Sequence, residues 1–441
     1  MVTETLTGQT PTSTTDAIQL ARAAGVNPLE YLRSRGYVHD ISDEEGLRAA
    51  FEAGPVTAYI GFDPSATSLH VGNLLGIMML GVLQRFGHRP IALGGGGTAL
   101  VGDPSGKTSA RMLISPEDIE RNLAGVLPQF ARYLDFEAGR FGDNPPALLL
   151  NNADWLLPLH YIDFLREIGR HFSVNEMLAA ETYKVRLETI GLNFVEFNYR
   201  LVQAYDFLHL YRAEGCILQM GGSDQWGNIL AGVDLVRKAD GGKAFALVSP
   251  LITTADGQKM GKSEGNAVWL DPERTAPYDY YQYWVNVEDA DVPCFLRLFT
   301  FLPEDRIAEL TSVPGAALRE AKYALAHEAT SLTHGEQAAS EARDAARSLF
   351  AGANRAPSAT DASLPTTEIT AADVEAGISL ADVFVRAGLA KSRGEARRLA
   401  TQGGLSLDDQ RVEDIDAPFQ PEADSVLLRA GKKRYRRVVV G

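Results

Sequence analysis

The sequence contains very few cysteines. Among its 441 residues only Cys216 and Cys294 are cysteines, and neither has another Cys or a His nearby at metal-ligand spacing. A disulfide framework and a structural zinc site are therefore not expected, and a reducing cytoplasm is the default location.

Long apolar runs are also missing from the sequence. No stretch approaches the roughly eighteen apolar residues that a membrane helix needs. The N-terminal stretch MVTETLTGQTPTSTTD has neither the basic start nor the apolar core of a secretory signal. Its Thr-rich composition predicts a flexible extension, to which we assign residues 1–30.

The sequence lacks a complete phosphate-binding P-loop. The stretches GDPSGKT (102–108) and GQKMGKS (257–263) both end in Gly-Lys-hydroxyl, but each is one residue short of the pattern. The full distance leads back to Val101 and Asp256 instead of to glycines. A P-loop ATPase is therefore not favoured, and two lysine loops remain to be explained.

Charge is distributed unevenly. The formal net charge is −15, which argues against non-specific wrapping of nucleic acid, although the distribution of charge matters more than its total. Basic residues are concentrated near the C-terminus, in AKSRGEARRLA (390–400) and KKRYRR (432–437).

The central sequence alternates between short apolar runs and stretches with helical spacing. With 45% hydrophobic and 22% charged residues, the chain has the composition of a globular protein and the length of two or three domains. The alternation predicts an α/β fold with a doubly wound, mainly parallel sheet whose ligands bind at the carboxyl ends of the strands. The predicted strands are VTAYIGF, PIALGGG, ALLLNN, GCILQMGG and KAFALVSPL.

The rest of the chain predicts helices from about residue 275 to 350, then an Ala-, Thr-, Ser- and Pro-rich linker, then two short helices with small strands. The expected segments are the extension 1–30, an α/β domain 31–250, a lysine loop with an α-helical domain 251–350, a linker 351–375 and a small α+β module 376–441.

The first polar motif is YIGFDPSATSLHVGNL (59–74). A helix is predicted to begin near His70, where free backbone N–H groups and the helix dipole suit a phosphate. Gly72 leaves space for a flat ring against the backbone, and His70 and Asn73 share one face. The alternative is structural: His70 caps the helix and Gly72 is a packing glycine.

The second motif is GGGGTALVGDPSGKTSARM (94–112). Four successive glycines after a strand indicate that something approaches the backbone closely. Asp103 suits an ammonium group, while Lys107 and Arg111 suit phosphate oxygens. The alternative is a solvent loop with a salt bridge.

The third motif is FNYRLVQAYDFLHLY (197–211), in which Tyr199, Gln203 and Asp206 share one helical face. Burying such a polar stripe is costly without a partner, and a bound polar ligand is one such partner. The alternative is that the stripe is the solvent-facing side of the helix.

The fourth motif is GGSDQWGN (221–228). Asp224 suits two sugar hydroxyls and Gln225 a carboxylate, whereas the structural alternative makes Ser223 or Asp224 a helix cap.

The last motif is the lysine loop, where Lys259 and Lys262 suit a triphosphate. Taken alone, this loop is more typical of an exposed turn with solvated lysines.

Taken in order, these motifs resemble those of the class I aminoacyl-tRNA synthetases, and most closely the bacterial tyrosyl-tRNA synthetase family. HVGN stands where that family has His-Ile-Gly-His, and KMGKS where it has Lys-Met-Ser-Lys-Ser. The resemblance covers roughly residues 30–441. It implies a Rossmann-like catalytic domain, a helical domain on the anticodon side and a C-terminal RNA-binding module similar to one in a ribosomal small-subunit protein.

The resemblance also implies the reaction. The tyrosine carboxylate attacks the α-phosphate of ATP to give tyrosyl-adenylate and pyrophosphate, and the tyrosyl group then passes to the terminal adenosine of tRNA(Tyr). Mg²⁺ is expected with ATP, and a cytoplasmic homodimer without membrane contact is implied. Affinity for tRNA is expected to fall with salt.

Site residues follow from the resemblance position by position. For tyrosine they are Tyr59 and Asp206 at the phenol, Asp103, Tyr199 and Gln203 at the ammonium group, and Gln225 at the carboxylate. For ATP and catalysis they are His70, Gly72, Asn73 and Gly222, Asp224 at the ribose, and Lys107, Arg111, Lys259 and Lys262 at the phosphates. For RNA they are Lys391, Arg393, Arg397, Arg398, Lys432, Lys433 and Arg434.

Two positions depart from the family pattern. Asn73 replaces a histidine and cannot carry charge, while Gly261 replaces a serine and loses a hydroxyl. Two other hypotheses are an RNA-binding protein that has lost ligation and a specificity for tryptophan. The intact His70 and lysines argue against the first, and Tyr59 with Asp206 against the second.

Overall fold

The computed structural model describes residues 17–103, 115–179, 181–189, 191–252, 260, 262–263, 266–312, 316–351, 366–408, 410–421, 423–431 and 434–441. They form two compact units. The first comprises the chain up to Asp271 together with Val287–Ala321, and the second comprises Pro272–Asn286 and Lys322–Gly441. The predicted segment boundaries remain a prediction. None of the described helices is long and apolar enough to cross a bilayer.

A six-stranded sheet forms the centre of the first unit. Its strands are β1 (Asp40–Ile41), β2 (Thr57–Phe62), β3 (Arg89–Gly94), β4 (Leu148–Asn151), β5 (Cys216–Gly222) and β6 (Phe245–Ser249). The spatial order is β1-β6-β5-β2-β3-β4, and every pair is parallel except β1 with β6. The α/β fold and its five predicted strands are confirmed, and β1 is an antiparallel edge strand that the sequence analysis missed.

The order of the strands determines where a ligand fits. From β2 the chain proceeds outward to β3 and β4, then returns to the other side of β2 to form β5 and β6. Connections therefore diverge between β2 and β5, and their carboxyl ends open a crevice.

The sheet is buried because its strands are continuous apolar runs. All five residues of β6 are buried, as are the last five of β3. Such runs are typical of parallel strands that are covered on both faces.

The helices of the first unit surround the sheet. They are α1 (Ala17–Ala23), α2 (Pro28–Arg35), α3 (Glu44–Ala53), α4 (Val71–Arg85), α5 (Thr98–Val101), α6 (Pro116–Val126), α7 (Ala153–Leu156), α8 (Tyr161–Glu167), α9 (Val174–Ala179), α10 (Glu181–Thr189), α11 (Phe194–Glu214), α12 (Trp226–Asp240), α14 (Val292–Phe299) and α15 (Glu304–Thr311). Two short strands, β7 (Lys262–Ser263) and β8 (Asn266–Ala267), pair in antiparallel orientation. Helix α1 and the start of α2 lie in the predicted extension 1–30, whose Thr-rich part is outside the described residues.

Helix α11 is the longest described helix of the first unit and carries much of the site. It begins where the Asn193 side chain accepts a hydrogen bond from the Glu196 backbone N–H at 2.9 Å. It ends at Gly215, whose φ of 61° is left-handed and is adopted readily by glycine.

The second unit contains α13 (Pro277–Val285), α17 (Glu336–Ala351) and most of α16 (Ala316–His334). Its C-terminal part has a five-stranded sheet in the order β11-β10-β12-β13-β9. These strands are β9 (Thr366–Ile369), β10 (Leu405–Leu407), β11 (Gln410–Arg411), β12 (Ser425–Ala430) and β13 (Arg434–Val440), and they are accompanied by α18 (Ala371–Glu375), α19 (Leu380–Arg386) and α20 (Arg393–Thr401). Residues 366–375, which the sequence analysis assigned to the linker, therefore form β9 and α18.

Candidate active site

A cavity of about 500 Å³ opens at the carboxyl ends of β2 and β5, beside α4 and α11. Residues from all five sequence motifs line it together, the lysine loop through Met260. The predicted site residues in its lining are Tyr59, His70, Gly72, Asn73, Asp103, Tyr199, Gln203, Asp206, Gly222, Asp224 and Gln225.

The side chains of the four basic residues that were predicted to bind phosphate lie outside the part of the chain that the structure describes. Lys107, Arg111 and Lys259 lie outside the described residues, and only the backbone of Lys262 is described, in β7.

One part of the cavity combines a buried carboxyl with a buried phenol. Asp206 is 2% exposed, and its two oxygens accept hydrogen bonds from Asn152 Nδ2 at 2.9 Å and Trp155 Nε1 at 2.8 Å. Burial raises the pKa of Asp206 to about 7, while both donors act in the opposite direction. Because each oxygen faces an N–H donor, the arrangement fits the ionised carboxylate.

Tyr59 differs from Asp206 in its hydrogen bonding. The Tyr59 ring is 1% exposed and packs edge-on against Phe207 at 5.4 Å, but its hydroxyl has no hydrogen-bond partner among the described residues. Burial and the Asp206 charge raise the pKa of Tyr59 well above its ordinary value, so the phenol is neutral and can donate. An unsatisfied buried hydroxyl is costly, which is a reason to look for a ligand that satisfies it.

Asn152 organises this polar group, and the sequence analysis did not identify it. Besides donating to Asp206, its Nδ2 donates to Thr98 Oγ1 at 3.0 Å, and its Oδ1 accepts from the Gly97 backbone N–H at 2.7 Å. The signal was available, because Asn152 is the last residue of the predicted strand ALLLNN and Trp155 lies three residues beyond it, at the carboxyl end where ligands bind.

The helical stripe of Tyr199, Gln203 and Asp206 faces the cavity, as the spacing predicted. Tyr199 is 5% exposed and Asp206 is 2% exposed, so the alternative of a solvent-facing stripe is wrong.

A second polar chain begins at Asp103. Its carboxylate accepts a hydrogen bond from Gln225 Nε2 at 2.8 Å, and Gln225 Oε1 accepts one from Asn228 at 3.3 Å. Asn228 in turn accepts from Arg200 Nε at 3.5 Å, and the Arg200 guanidinium lies 4.7 Å from the centre of the Tyr183 ring. The predicted ammonium and carboxylate residues are thus already joined by a hydrogen bond.

His70 caps α4 and also lines the cavity, so the structural and the functional readings of this motif are compatible. Its Nδ1 accepts from the Gly72 backbone N–H at 2.9 Å, and the Asn73 side chain accepts from the His70 backbone N–H at 3.0 Å. Since Nδ1 is an acceptor, the neutral ring carries its proton on Nε2. A Cβ at Gly72 would lie 2.7 Å from the His70 ring, so the glycine is required by the cap itself.

The four glycines that begin with Gly94 at the end of β3 lie close to other side chains of the protein. A Cβ at any of them would come within 2.3 to 2.8 Å of a side chain of the protein itself. These side chains are Leu123 at Gly94, Thr98 at Gly95, Asn151 at Gly96 and Leu156 at Gly97. The close approach predicted for this run is therefore made by neighbouring side chains, and Gly95 is the member of the run that also lines the cavity.

Asp224 and Gln225 lie in a single 3-10 turn between β5 and α12. Gln225 occupies the N-cap position of α12 and makes no side-chain capping bond, so the alternative of a Ser223 or Asp224 cap is wrong. A Cβ at Gly222 would lie 2.7 Å from Asp224 Oδ1, so a side chain there would displace this carboxylate.

Comparison with known proteins identifies the family. Residues 52–351 match the model of class I tRNA synthetases for tryptophan and tyrosine, and residues 358–438 match the C-terminal domain model of tyrosine–tRNA ligases. A tyrosine–tRNA ligase of Desulfatibacillum aliphaticivorans is 49% identical over 94% of this chain and 99% of its own length. One of Caulobacter vibrioides is 52% identical over 92% of this chain and 96% of its own. The chain belongs to the tyrosine–tRNA ligase family.

A solved structure agrees with this family assignment. A C-terminally truncated mitochondrial tyrosyl-tRNA synthetase of Aspergillus nidulans is 32% identical with a TM-score of 0.67, covering 76% of this chain and 97% of its own. As a tyrosine–tRNA ligase, the chain activates tyrosine with ATP and charges tRNA, so the predicted fold, reaction and enzyme class are confirmed. The first family model includes tryptophan enzymes, and the two relatives and the C-terminal model decide for tyrosine.

In the C-terminal domain of this ligase, several predicted RNA-binding arginines are ion-paired. Arg393 Nη2 lies 2.8 Å from Asp382 Oδ2, and Arg397 Nη2 lies 2.8 Å from Asp416 Oδ1. Arg398 lies 3.6 Å from Glu395. Lys432 and Lys433 are outside the described residues, while Arg434 begins β13. These carboxylates offset charge that the sequence analysis counted as available for phosphate.

Proposed function

We propose that the cavity binds tyrosine with its phenol between Tyr59 and Asp206. The observation that carries this proposal is the buried Tyr59 hydroxyl without a partner among the described residues, under the electrostatic influence of the Asp206 carboxylate. The substrate hydroxyl donates to Asp206 and accepts from Tyr59, so both groups are satisfied at once. A phenylalanine in the same position leaves the Tyr59 hydroxyl without an acceptor and gives Asp206 no donor beyond Asn152 and Trp155.

The ammonium and carboxylate ends of tyrosine are assigned to the second polar chain. Asp103, Tyr199 and Gln203 receive the ammonium group, and Gln225 donates to the carboxylate. The hydrogen bond between Gln225 and Asp103 supports this assignment, because it holds both side chains on the same side of the cavity. On binding, the ammonium group takes over Asp103 and frees the Gln225 amide for the carboxylate.

ATP is assigned to the start of α4 and the turn after β5. His70 donates through Nε2, the Asn73 amide N–H₂ remains available as a donor because its oxygen serves the cap, and Asp224 accepts from the ribose. Gly72 and Gly222 line the same cavity without side chains of their own. Lys107, Arg111, Lys259 and Lys262 are proposed at the phosphates on the basis of the sequence motifs alone.

The activation of tyrosine requires no nucleophile from the protein. A carboxylate oxygen of tyrosine attacks the α-phosphorus of ATP, the bond from this phosphorus to the bridging oxygen breaks, and pyrophosphate leaves. The residues act by positioning and by stabilising the growing negative charge. We place Mg²⁺ with the nucleotide as MgATP, because Mg²⁺ is usually bound through substrate phosphates and keeps several of its waters.

We further propose tRNA as the ligand of the C-terminal domain and the cytoplasm as the place of reaction. The match to the ligase C-terminal model and the basic residues of β13 support an RNA partner.

A homodimer is proposed through an exposed apolar surface around edge strand β4. Leu149 on β4 is 36% exposed, and Leu157, Tyr161 and Ile162 near α8 are 63%, 59% and 63% exposed. Large exposed apolar side chains on an edge strand and in the segment that follows it favour a second copy of the same chain. Sedimentation tests this: Ile162→Lys is expected to give monomers, whereas the control Leu20→Lys on α1 leaves the mass unchanged.

Pyrophosphate exchange into ATP, with each of the twenty amino acids and no tRNA, tests the activation step. Exchange with tyrosine alone is expected, and Asp206→Asn should reduce it by removing the charged acceptor. Asp240→Asn is a matched control, because that carboxylate pairs with Arg212 on the surface. Tyrosine exchange at the unchanged rate in Asp206→Asn would refute the phenol site, and exchange with a different amino acid would refute the assigned specificity.

A further inference from the structure

A histidine outside the cavity packs against the residue that holds Asp206. The His209 ring stacks on the Trp155 indole with 4.3 Å between ring centres and 14° between planes. The same indole donates from Nε1 to Asp206 Oδ1 at 2.8 Å. Neither ring is part of the cavity lining, whereas Asp206 and its second donor Asn152 are.

We propose that His209 is a positioning residue for tyrosine recognition, which fixes the Trp155 indole in the plane from which it donates to Asp206. This inference rests on the proposed phenol site. It adds a residue, His209, that touches neither substrate and acts through Trp155 and Asp206.

The helix of Trp155 gives the indole little independent support. Helix α7 has four residues, and the side chain of its N-cap residue, Asn152, makes no capping hydrogen bond to the helix. His209 instead lies on α11, one helical turn after Asp206, so one rigid helix carries both the acceptor and the ring that orients the donor. The direction of an indole N–H is set by the ring plane, and a stacked neighbour restricts that plane.

The environment of His209 favours its neutral form. Partial burial lowers the pKa of His209, with Arg212 acting in the same direction and Glu214 in the opposite one. Tyr205 flanks the ring at 6.4 Å between centres and itself packs edge-on against Phe164 at 5.9 Å. His209 is therefore a flat, neutral ring held between aromatic side chains, which suits stacking more than proton transfer.

The test measures pyrophosphate exchange in the full-length protein. His209→Ala is expected to raise the KM for tyrosine about fivefold, as loss of one aromatic contact implies, with kcat and the KM for ATP within about twofold. His209→Phe keeps a flat ring and is expected to restore the KM to within about twofold of wild type. His160→Ala, on an exposed position before α8, is the matched control.

A double-mutant cycle separates positioning from simple packing. Trp155→Phe removes the N–H donor, so His209→Ala should add no further increase in KM in that background. An additive effect, an unchanged KM in His209→Ala, or no rescue by His209→Phe would overturn the inference. If instead the wild-type protein gives no exchange with tyrosine, the proposed phenol site itself fails, and this outcome is distinguishable because it precedes any variant.

Discussion

Removal of the Tyr59 hydroxyl is expected to stabilise the protein while weakening its substrate affinity. The hydroxyl is buried without a partner among the described residues, and its ring contact with Phe207 at 5.4 Å is retained by phenylalanine. A buried unsatisfied polar group costs about 1–3 kcal/mol, so Tyr59→Phe should raise the apparent free energy of unfolding by about 1 kcal/mol or more. The lost hydrogen bond to substrate should raise the KM for tyrosine about fivefold, corresponding to about 1 kcal/mol.

Two assays on one preparation measure the expected gain in stability and the expected loss of substrate affinity. Urea unfolding gives the stability change, and pyrophosphate exchange gives the KM. Tyr37→Phe is the matched control, because the Tyr37 hydroxyl donates to the Leu298 carbonyl at 2.6 Å and lies outside the cavity lining. That variant should lose stability and keep its KM. If Tyr59→Phe is destabilised by about 1 kcal/mol, the hydroxyl has a partner in the free protein, and if its KM is unchanged, the substrate phenol does not reach it.

Three further predictions follow from other described residues. His88 accepts a hydrogen bond from the Val56 backbone N–H at 3.0 Å, and burial lowers the pKa of His88 to about 4. The neutral ring therefore makes its full contribution to the free energy of unfolding above pH 6.5, and this contribution falls by about 3 kcal/mol as the pH drops toward 4. His88→Asn should flatten this pH dependence in urea titrations. Buried Arg35 donates to four backbone carbonyls at and after the end of α14. Arg35→Met should therefore lower the free energy of unfolding by about 3 kcal/mol or more, measured by thermal or urea unfolding. Unchanged stability would contradict the role of these bonds. Asp382→Asn releases Arg393 from its ion pair, so the affinity for tRNA should rise. In filter binding the dependence of this affinity on salt should become steeper, by the release of about one more counterion on binding. Unchanged binding would show that Arg393 does not contact RNA.

Local sequence determined the elements and several of their faces. Each apolar run that was predicted as a strand lies on a strand of the first sheet. A short continuous apolar run is typical of a strand buried in a parallel sheet, and this holds whichever strands pair with it. The spacing of Tyr199, Gln203 and Asp206 likewise brought them to one cavity, since helical periodicity is a property of the chain itself.

Tertiary structure decided which groups meet and which charges are offset. The bond from Trp155 to Asp206 joins residues 51 apart, and the ion pairs of Arg393 and Arg397 join residues 11 and 19 apart. No local pattern contains such pairings, because they depend on how α7 meets α11, how α19 and α20 pack, and where the segment that carries Asp416 lies. For the same physical reason the sequence indicated a polar stripe and basic stretches, but only the three-dimensional contacts showed that Asp206 in the stripe is a buried carboxylate and that three of the basic residues are ion-paired.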